Sequence, residues 1–198
     1  MSRLPIQHYN LSLYQRILED GFEALPDAVK RAHAFKKKHV LEGKVDIDGS
    51  RTFLGKCLIR LLGLPRSGKG LPARVTIYQE DLGERWERKF GSGGFSSHVT
   101  AHHYRPDCIV ETRGMVSADI RLHPVPEGLR WEVESFRLFG FALPPALAPA
   151  TQALERDVDG VYHFEMSMTL PLLGDFIAYR GWLIPEKDLM EIARNRPI

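Results

Sequence analysis

Charged side chains that alternate with aromatic ones along predicted strands are the features of this sequence best suited to bind a ligand. Side chains two residues apart on a strand point to the same face. Three such faces carry Trp86 with Arg88, Trp131 with Arg137, and Arg180 with Trp182. If these faces point inward, the arginines are enclosed charges that require an acidic partner or a polar ligand group. We predict these residues as ligand-binding. In the alternative, the arginines reach a solvated rim and pack their stems against the indoles.

Histidines could bind a metal or transfer protons, and they cluster in one region. His98, His102 and His103 lie close together in the sequence. On one strand, His98 and His102 share a face but stand about 13 Å apart at ~3.3 Å per residue, so a single ion could bind only one of them. No H-E-x-x-H or paired-cysteine spacing is present. We therefore expect no metal site.

Neither glycine-rich segment has the spacing of a phosphate-binding loop. In Arg66–Gly70 the lysine precedes glycine instead of Ser or Thr, and a predicted helix comes before the loop. Gly91–Gly94 separates two predicted strands and is typical of a hairpin turn. No G-x-S-x-G nucleophile motif occurs, although a triad assembled from distant strands stays open. We expect no cofactor.

Length and composition favour one globular domain spanning residues 1–198. The chain has 198 residues, of which 43% are hydrophobic and 26% charged, as is ordinary for a soluble protein. A net charge of +2 gives no reason to expect nucleic acid as a partner. The N-terminus lacks the apolar core of a signal peptide, so the expected compartment is the cytoplasm. Cys57 and Cys108 form no C-x-x-C pair, and we expect both to be free and buried.

Three helices are predicted in the first third of the chain. Apolar residues recur every three or four positions from Leu11 to Leu25, which predicts an amphipathic helix. Pro26–His33 predicts a second helix, because proline suits a first helical turn. The third covers Phe53–Leu62 and ends at Gly63. We expect it to cover the open side of a curved sheet. A membrane-surface helix is the alternative, since Lys56 and its neighbouring cations lie opposite the apolar stripe.

The remainder of the chain predicts a sheet. Alternating apolar and polar residues between short Gly, Pro or Asp turns predict eight or nine antiparallel strands, while Gly140 to Tyr162 contains a Pro- and Ala-rich crossing. The sequence shows no alternation of strands with helices, which is the pattern that would indicate a parallel sheet. A sheet of this length curls or closes, which removes its exposed edges. The predicted fold class is therefore α+β, with N-terminal helices packed on a strongly curved antiparallel sheet that forms a half or full barrel.

Several blocks of the sequence resemble the bacterial family called domain of unknown function 4166. The blocks are Leu13–Leu18 with Phe22, Leu25–Pro26, His33, Leu61–Pro65, Gly83–Phe90, Leu129–Trp131, Leu138–Gly140, Leu170–Gly174 and Tyr179–Leu183. The resemblance implies chains that occur alone or as the tail of a reductase-like domain of the saccharopine-dehydrogenase type. It carries over no catalytic residues. Because no G-x-G-x-x-G is present, we expect this chain to bind no dinucleotide itself.

Three functions are compatible with these observations. The leading hypothesis is that the concave face of the sheet binds a mainly apolar small molecule, such as a lipid, polyketide or terpenoid. The second is an enzyme without cofactor, such as a cyclase, isomerase or hydrolase, in which enclosed acids or histidines move protons. The third is an interaction module that docks on a reductase. A carboxylate or histidine deep in a cavity would favour the enzyme, and a filled core the interaction module.

Overall fold

The computed structural model describes residues 11–194, which form a closed antiparallel β-barrel of ten strands, one additional two-residue strand and five short helices. The strands are β1 Lys38–Gly49, β2 Gly68–Glu80, β3 Gly83–Phe90, β4 Gly93–Ala101, β5 Cys108–Arg113, β6 Val116–Val125, β7 Gly128–Leu138, β8 Phe141–Ala142, β9 Ala150–Val158, β10 Val161–Leu170 and β11 Gly174–Pro185. The helices are α1 Leu13–Leu18, α2 Asp20–Glu23, α3 Asp27–His33, α4 Phe53–Leu61 and α5 Glu186–Arg194.

The barrel closes because its last strand returns to its first. Strands β1 to β7 pair with their neighbours in chain order, and β7 then pairs with β9. The series continues through β10 to β11, which pairs with β1 from Leu41↔Pro185 to Gly49↔Ile177. The two-residue β8 pairs only with the end of β7. Closure satisfies the backbone groups that an open sheet would leave at its two edges.

The predicted class of helices on a strongly curved antiparallel sheet is confirmed, but the count of eight or nine strands is wrong. Strand β9 lies where the sequence predicted a crossing. Its residues, ATQALERDV, have low strand propensity, yet they pair with both β7 and β10. Pairing on two sides therefore outweighs the local preference. Strand β2 also begins at Gly68, inside the predicted loop.

The N-terminal helices close one end of the barrel. Ser12 caps α1, and its capping box with Gln15 satisfies two terminal N–H groups. The single helix predicted from Leu11 to Leu25 is wrong in one respect, because Glu19 adopts a positive φ of 47° and separates α1 from α2. Tyr14 and His33 are almost fully buried. We call this end of the barrel the floor.

Two carboxylates of the barrel hold these helices at their N-termini. Glu84 of β3 accepts a hydrogen bond from the backbone N–H of Leu13, at 2.8 Å. Asp157 of β9 accepts one from the backbone N–H of Ala28, also at 2.8 Å. The first N–H groups of a helix lack partners within the helix and carry partial positive charge, so a carboxylate both satisfies and stabilises them. The floor is thus attached to the wall by two charge-assisted bonds.

Helix α4 lies at the opposite end of the barrel, where it joins β1 to β2. Thr52 caps it by accepting a hydrogen bond from the Gly55 N–H at 3.1 Å. Only Gly55 and Ile59 are buried, whereas Phe53 and Leu61 are 83% and 82% exposed. The expected covering helix therefore covers the barrel only in part. We call this end the α4 end; it comprises residues 53–62, the turns 90–93, 113–116 and 170–174, and the segment 138–149.

Two smaller observations concern cysteine and helix length. Cys108 is free and buried as expected, but Cys57 is exposed on α4, so the expectation that both are buried is wrong. The reason is that α4 buries only a narrow stripe. No helix among residues 11–194 is long and apolar enough to span a bilayer.

The floor contact of Glu84 can be tested by substitution. Glu84 also accepts a hydrogen bond from Trp86 Nε1 at 3.0 Å, and burial raises the pKa of its carboxyl. Glu84→Leu leaves two buried donors without an acceptor, so we expect the free energy of unfolding to fall by about 2–4 kcal/mol. Glu84→Gln keeps an oxygen acceptor and should cost about 1 kcal/mol. Urea unfolding measures both, and equal losses would contradict the account.

Candidate functional site

A cavity of about 710 Å³ fills the interior of the barrel between the floor and the α4 end. Its lining is chiefly apolar and includes Val75, Phe90, Ile120, Val133, Phe136, Phe164, Met166, Met168, Leu170, Ile177 and Leu183. The lining residues Leu61, Met115 and Leu147 are also exposed to solvent. The cavity therefore reaches the surface at the α4 end.

Aromatic rings form the inner end of the cavity next to the floor. Trp86 and Trp131 meet edge to face, with ring centroids 6.4 Å apart. The His33 ring stacks on Tyr14 at 4.0 Å and meets Tyr162 edge to face at 6.2 Å. These edge-to-face and offset arrangements are the favourable ones for aromatic pairs. They produce a rigid, mostly apolar surface on which the end of a ligand could rest.

A buried histidine–carboxylate pair interrupts this aromatic surface. His33 Nε2 lies 2.7 Å from Glu155 Oε2, and both side chains line the cavity. Their residues are 1% and 6% exposed. Burial raises the pKa of Tyr162 well above its ordinary value, and the charge of Glu155 and a hydrogen bond to it raise that pKa further. The pair thus lies in a water-poor environment, in which its hydrogen bond is electrostatically stronger than in water.

Several polar atoms of the interior have no hydrogen-bond partner within the described protein. Among them are His33 Nδ1, Tyr14 Oη, Trp131 Nε1 and Thr151 Oγ1. A buried donor or acceptor without a partner costs about 1–3 kcal/mol, so native proteins rarely retain one unless something else satisfies it. His33, Trp131 and Thr151 belong to the lining of the cavity.

Arg88 forms the main charged group in the wall. Its guanidinium lies 3.0 Å from Glu111 Oε1 and donates to Ser97 Oγ at 2.7 Å. It also lies over the Trp86 ring, 4.7 Å from the centroid. Burial is the largest influence on the pKa of Arg88 and lowers it. The negative charge of Glu111, the neighbouring Tyr179 and Tyr14, and the hydrogen bond to Glu111 together outweigh burial, so the pKa is raised. The arginine is therefore a charged and oriented donor inside the barrel.

A second arginine of the wall gives this region an excess positive charge. Arg113 lines the cavity with its guanidinium 4.5 Å from the centre of the Phe95 ring, and it donates to the backbone oxygen of Gly63. Burial lowers the pKa of Arg113, and the positive charge of Arg88 lowers it further. Nearby, burial raises the pKa of Tyr179 to about 12. Two arginines facing one Glu111 suit a ligand group that accepts hydrogen bonds or carries negative charge.

The residues predicted from the sequence fall into two groups. Trp86, Arg88 and Trp131 line the cavity. Arg180 and Trp182 lie on the outer face of β11, where they border a separate cavity of about 320 Å³. Arg180 is 66% exposed and its Nε lies 4.0 Å from Asp46. The structure thus removes Arg180 and Trp182 from the lining of the large cavity.

Irregular strand pairing explains why β11 presents its other face. The register shifts between Met168 and Thr169 of β10, and the buried residues Phe176 and Ile177 of β11 are neighbours in sequence. If side chains are assumed to alternate from Phe176 onward, the residues that follow are therefore assigned to the wrong face of β11. Ile177, Tyr179 and Leu183 point inward instead.

Arg137 is displaced from its predicted face in a similar way. A register shift between Asp119 and Ile120 places Phe136 among the buried residues and Arg137 beside Asp119. Arg137 borders the cavity, but its guanidinium makes two hydrogen bonds to the Asp119 carboxylate. These bonds raise the pKa of Arg137. Its charge is thus already matched by an acid on the adjacent strand.

Sequence reasoning did not identify several groups that line the cavity. Glu155 lies on the strand that was predicted as a crossing, and His33 comes from a helix whose apolar pattern gave it no special place. Glu111 and Arg113 alternate on β5, but so do many charged residues on solvated faces. One signal could have identified Glu111 and Arg113 as facing the interior. They lie with Ile109 on the same face of β5, and Ile109 is fully buried.

The histidines predicted to form no metal site lie apart from the cavity. His98 pairs with Glu80 at 3.1 Å, and His123 pairs with Glu132 at 2.7 Å. In the part of the chain that the structure describes, no three His, Cys, Asp or Glu side chains form a group that could hold a metal ion. The expectation of a metal-free protein stays a prediction.

Comparison with known proteins identifies the family. The family model of the domain of unknown function (DUF4166) matches residues 25–183, which is most of the chain. The chain therefore belongs to this family, and the resemblance found in the sequence is confirmed. No curated protein and no solved structure matches the chain.

Two arginine substitutions test the assignment of inner and outer faces. Arg88→Met leaves Glu111 and Ser97 without their partner, so we expect the free energy of unfolding to fall by about 2–3 kcal/mol, reduced from the value for a fully buried pair because Glu111 is partly exposed. Arg180→Met on the outer face should change it by less than about 0.5 kcal/mol. Chemical denaturation measures both. A larger loss for Arg180→Met than for Arg88→Met would contradict the assignment.

Proposed function

We propose that this member of the DUF4166 family binds a mainly apolar small molecule inside its barrel. The observation that carries the proposal is the interior cavity of about 710 Å³, which is lined chiefly by apolar side chains and reaches the surface at the α4 end. Small-molecule pockets typically measure about 300–1,000 Å³ and combine an apolar lining with a few placed polar groups. Barrels of about eight strands can be filled by their own side chains, whereas wider ones enclose space.

The polar groups of the lining suggest which kind of ligand would fit. Beside the Arg88–Glu111 pair, Arg113 adds a positive charge that makes no ion pair with the described side chains, which favours a carboxylate, phosphate or carbonyl on the ligand. The rings of Trp86 and Trp131 add aromatic surface nearer the floor. The proposed ligand is therefore elongated and apolar with an acidic or carbonyl group, as in fatty acids, polyketides or oxidised terpenoids.

Filling the cavity with a larger side chain tests this proposal. Ala153 of β9 lines the cavity and lies opposite Trp131 and Met166 in the register. Ala153→Phe introduces a ring into the ligand space, so we expect the affinity for a fluorescent fatty-acid analogue to fall by at least about tenfold. Titration of the probe's fluorescence measures the affinity, and native mass spectrometry of freshly purified protein measures any ligand that remains bound.

Ala178→Phe is the matched control for this substitution. Ala178 lies on the outer face of β11, opposite Asp48 and Ser167, which are both exposed. The same change of side chain there should leave binding unchanged. If both variants bind the probe as the wild-type protein does, the probe does not occupy the cavity and the proposal is wrong. If Ala178→Phe alone reduces binding, the ligand site is on the outer surface.

A second candidate function is proton-transfer catalysis on the bound molecule. The specific observation is the His33–Glu155 pair, which lines the cavity at 2.7 Å with His33 Nδ1 unpaired in the described protein. A carboxylate that holds one ring nitrogen fixes the tautomer and leaves the other nitrogen as a base. Such a site could remove a proton from one carbon of a ligand and return it to another, as an isomerase does.

Isotope exchange distinguishes this activity from binding alone. Protein carrying its ligand is incubated in deuterium oxide, and the mass of the released ligand is measured. Proton transfer at carbon predicts deuterium in the ligand with the wild-type protein and none with Glu155→Gln, while Glu155→Gln still retains the ligand. A ligand that gains no deuterium from the wild-type protein assigns the site to binding without this chemistry.

A further inference from the structure

Apolar side chains are concentrated at one end of the barrel, around the opening of the cavity. Among the described residues, ten of the fourteen exposed large hydrophobic side chains belong to the α4 end. They form what we call the apolar rim: Phe53, Leu54, Leu61, Leu62, Met115, Leu138, Phe139, Phe141, Leu147 and Leu172. Soluble proteins rarely expose so many large apolar side chains together, and such patches mark surfaces that contact something else.

Local backbone geometry reinforces this reading at two positions of the rim. Leu172 and Phe139 lie in turns with φ of 67° and 53°. Residues other than glycine seldom adopt positive φ, and Asn or Asp are the usual exceptions. Leu172 is nevertheless fully exposed, so its apolar side chain is not packed against the described protein. A strained turn that presents an apolar side chain to the outside is typical of a contact surface.

The charges next to the rim on α4 and its flanking loops are all positive. Residues 49–73, which include α4, contain five Arg or Lys and no Asp or Glu, and residues 138–154 contain no charged residue. Arg51, Lys56, Arg60 and Arg66 are exposed and make no ion pair with any side chain that the structure describes. The exposed acids of this end, Asp48 and Asp175, lie on β1 and β11. The floor end exposes charges of both signs, among them Glu19, Asp20, Glu23, Lys36, Lys37 and Lys38.

We infer that the α4 end docks on an anionic lipid bilayer, with the apolar rim inserted among the lipids and the cations of α4 at the headgroups. Helix α4 exposes Leu54 and Leu61 on one side and Lys56 and Arg60 on another, with Phe53 beside the cations. Such a mixture of exposed apolar and cationic side chains is the composition of an interfacial helix. Neighbouring cations add attraction to acidic lipids. Because the rim surrounds the opening of the cavity, docking would place that opening against the acyl chains.

This geometry also indicates where the ligand comes from. Leu61, Met115 and Leu147 belong both to the rim and to the cavity lining, so apolar surface is continuous from the bilayer to the interior. A lipid-like molecule could pass between the two without crossing water. This statement about loading rests on the proposed function, whereas docking itself depends only on the rim and its charges.

Co-flotation with vesicles tests the docking. Wild-type protein is mixed with vesicles of phosphatidylcholine alone or with phosphatidylglycerol added. We expect binding to the vesicles that contain phosphatidylglycerol, weaker binding to phosphatidylcholine alone, and a decrease as salt is raised. The triple variant Phe53→Ser, Leu61→Ser and Leu172→Ser should lose at least about tenfold in partitioning, because three exposed apolar side chains no longer insert. Its control is Leu82→Ser with Tyr104→Ser at the floor end, which should bind as the wild-type protein does.

Further variants test how the charges of α4 and the positive φ of Leu172 contribute to docking. They also show whether a loss of docking results from unfolding. Lys56→Glu with Arg60→Glu should weaken binding only to vesicles that contain phosphatidylglycerol, whereas Lys36→Glu with Lys37→Glu near the floor should have little effect. Leu172→Asn should weaken docking while keeping or raising the melting temperature, since Asn accepts the positive φ. Loss of docking together with retained stability cannot be attributed to unfolding.

Other results would overturn the inference. If the wild-type protein binds no vesicle, or if the triple variant co-floats with vesicles to the same extent as the wild-type protein, the rim is not a membrane surface. If the protein is a dimer that the triple variant converts to a monomer without any vesicle binding, the rim contacts a second copy. Binding of the fatty-acid probe in the absence of vesicles tests the proposed function separately, so failure of one does not decide the other.

Discussion

The structure depends on closing one end of a barrel that is too wide for its own side chains to fill. Ten strands enclose a cavity of about 710 Å³, and water would enter from both ends if nothing covered them. Helices α1 to α3 cover the floor, and Glu84 and Asp157 of the wall hold them by accepting hydrogen bonds from Leu13 and Ala28. These two bonds hold the helices over one end of the barrel, so that the cavity opens at the other end. The location of the aromatic inner surface, and of the opening at the α4 end, follows from that arrangement.

Most ionisable side chains inside the barrel are paired with a partner of opposite type. Arg88 is paired with Glu111, and His33 with Glu155, which is the condition for burying ionisable groups. The match is incomplete at Arg113, which is the charged group that we assign to a ligand. On the outer surface, large apolar side chains and the cations of α4 are concentrated around the opening, whereas the floor end exposes charged residues of both signs.

Much of this architecture could be predicted from residue patterns, and the failures have identifiable physical causes. Alternation along β3 assigned Trp86 and Arg88 to one face, and they share a face in the structure because that strand pairs without a register shift on both sides. The sequence alone did not determine that this face points inward. A register shift beside β11 placed Arg180 on the outer face, and one within the β6–β7 pair placed Arg137 beside Asp119. Such shifts arise from packing between strands and leave little trace in either sequence. Strand β9 was missed because its local preference is weak and its stability comes from two neighbours that are distant in sequence.

The three tryptophans offer the most direct measurement of the central claim, that a ligand occupies the interior of the barrel. Trp86 and Trp131 line the cavity, and Trp182 lies on the outer face. A brominated fatty acid quenches tryptophan fluorescence on contact, and the unbrominated acid serves as its control. We predict that a Trp182→Phe variant, whose two remaining tryptophans line the cavity, is quenched as strongly as the wild-type protein. Quenching of the wild-type protein that is lost in Trp182→Phe would place the ligand outside the barrel and contradict this claim.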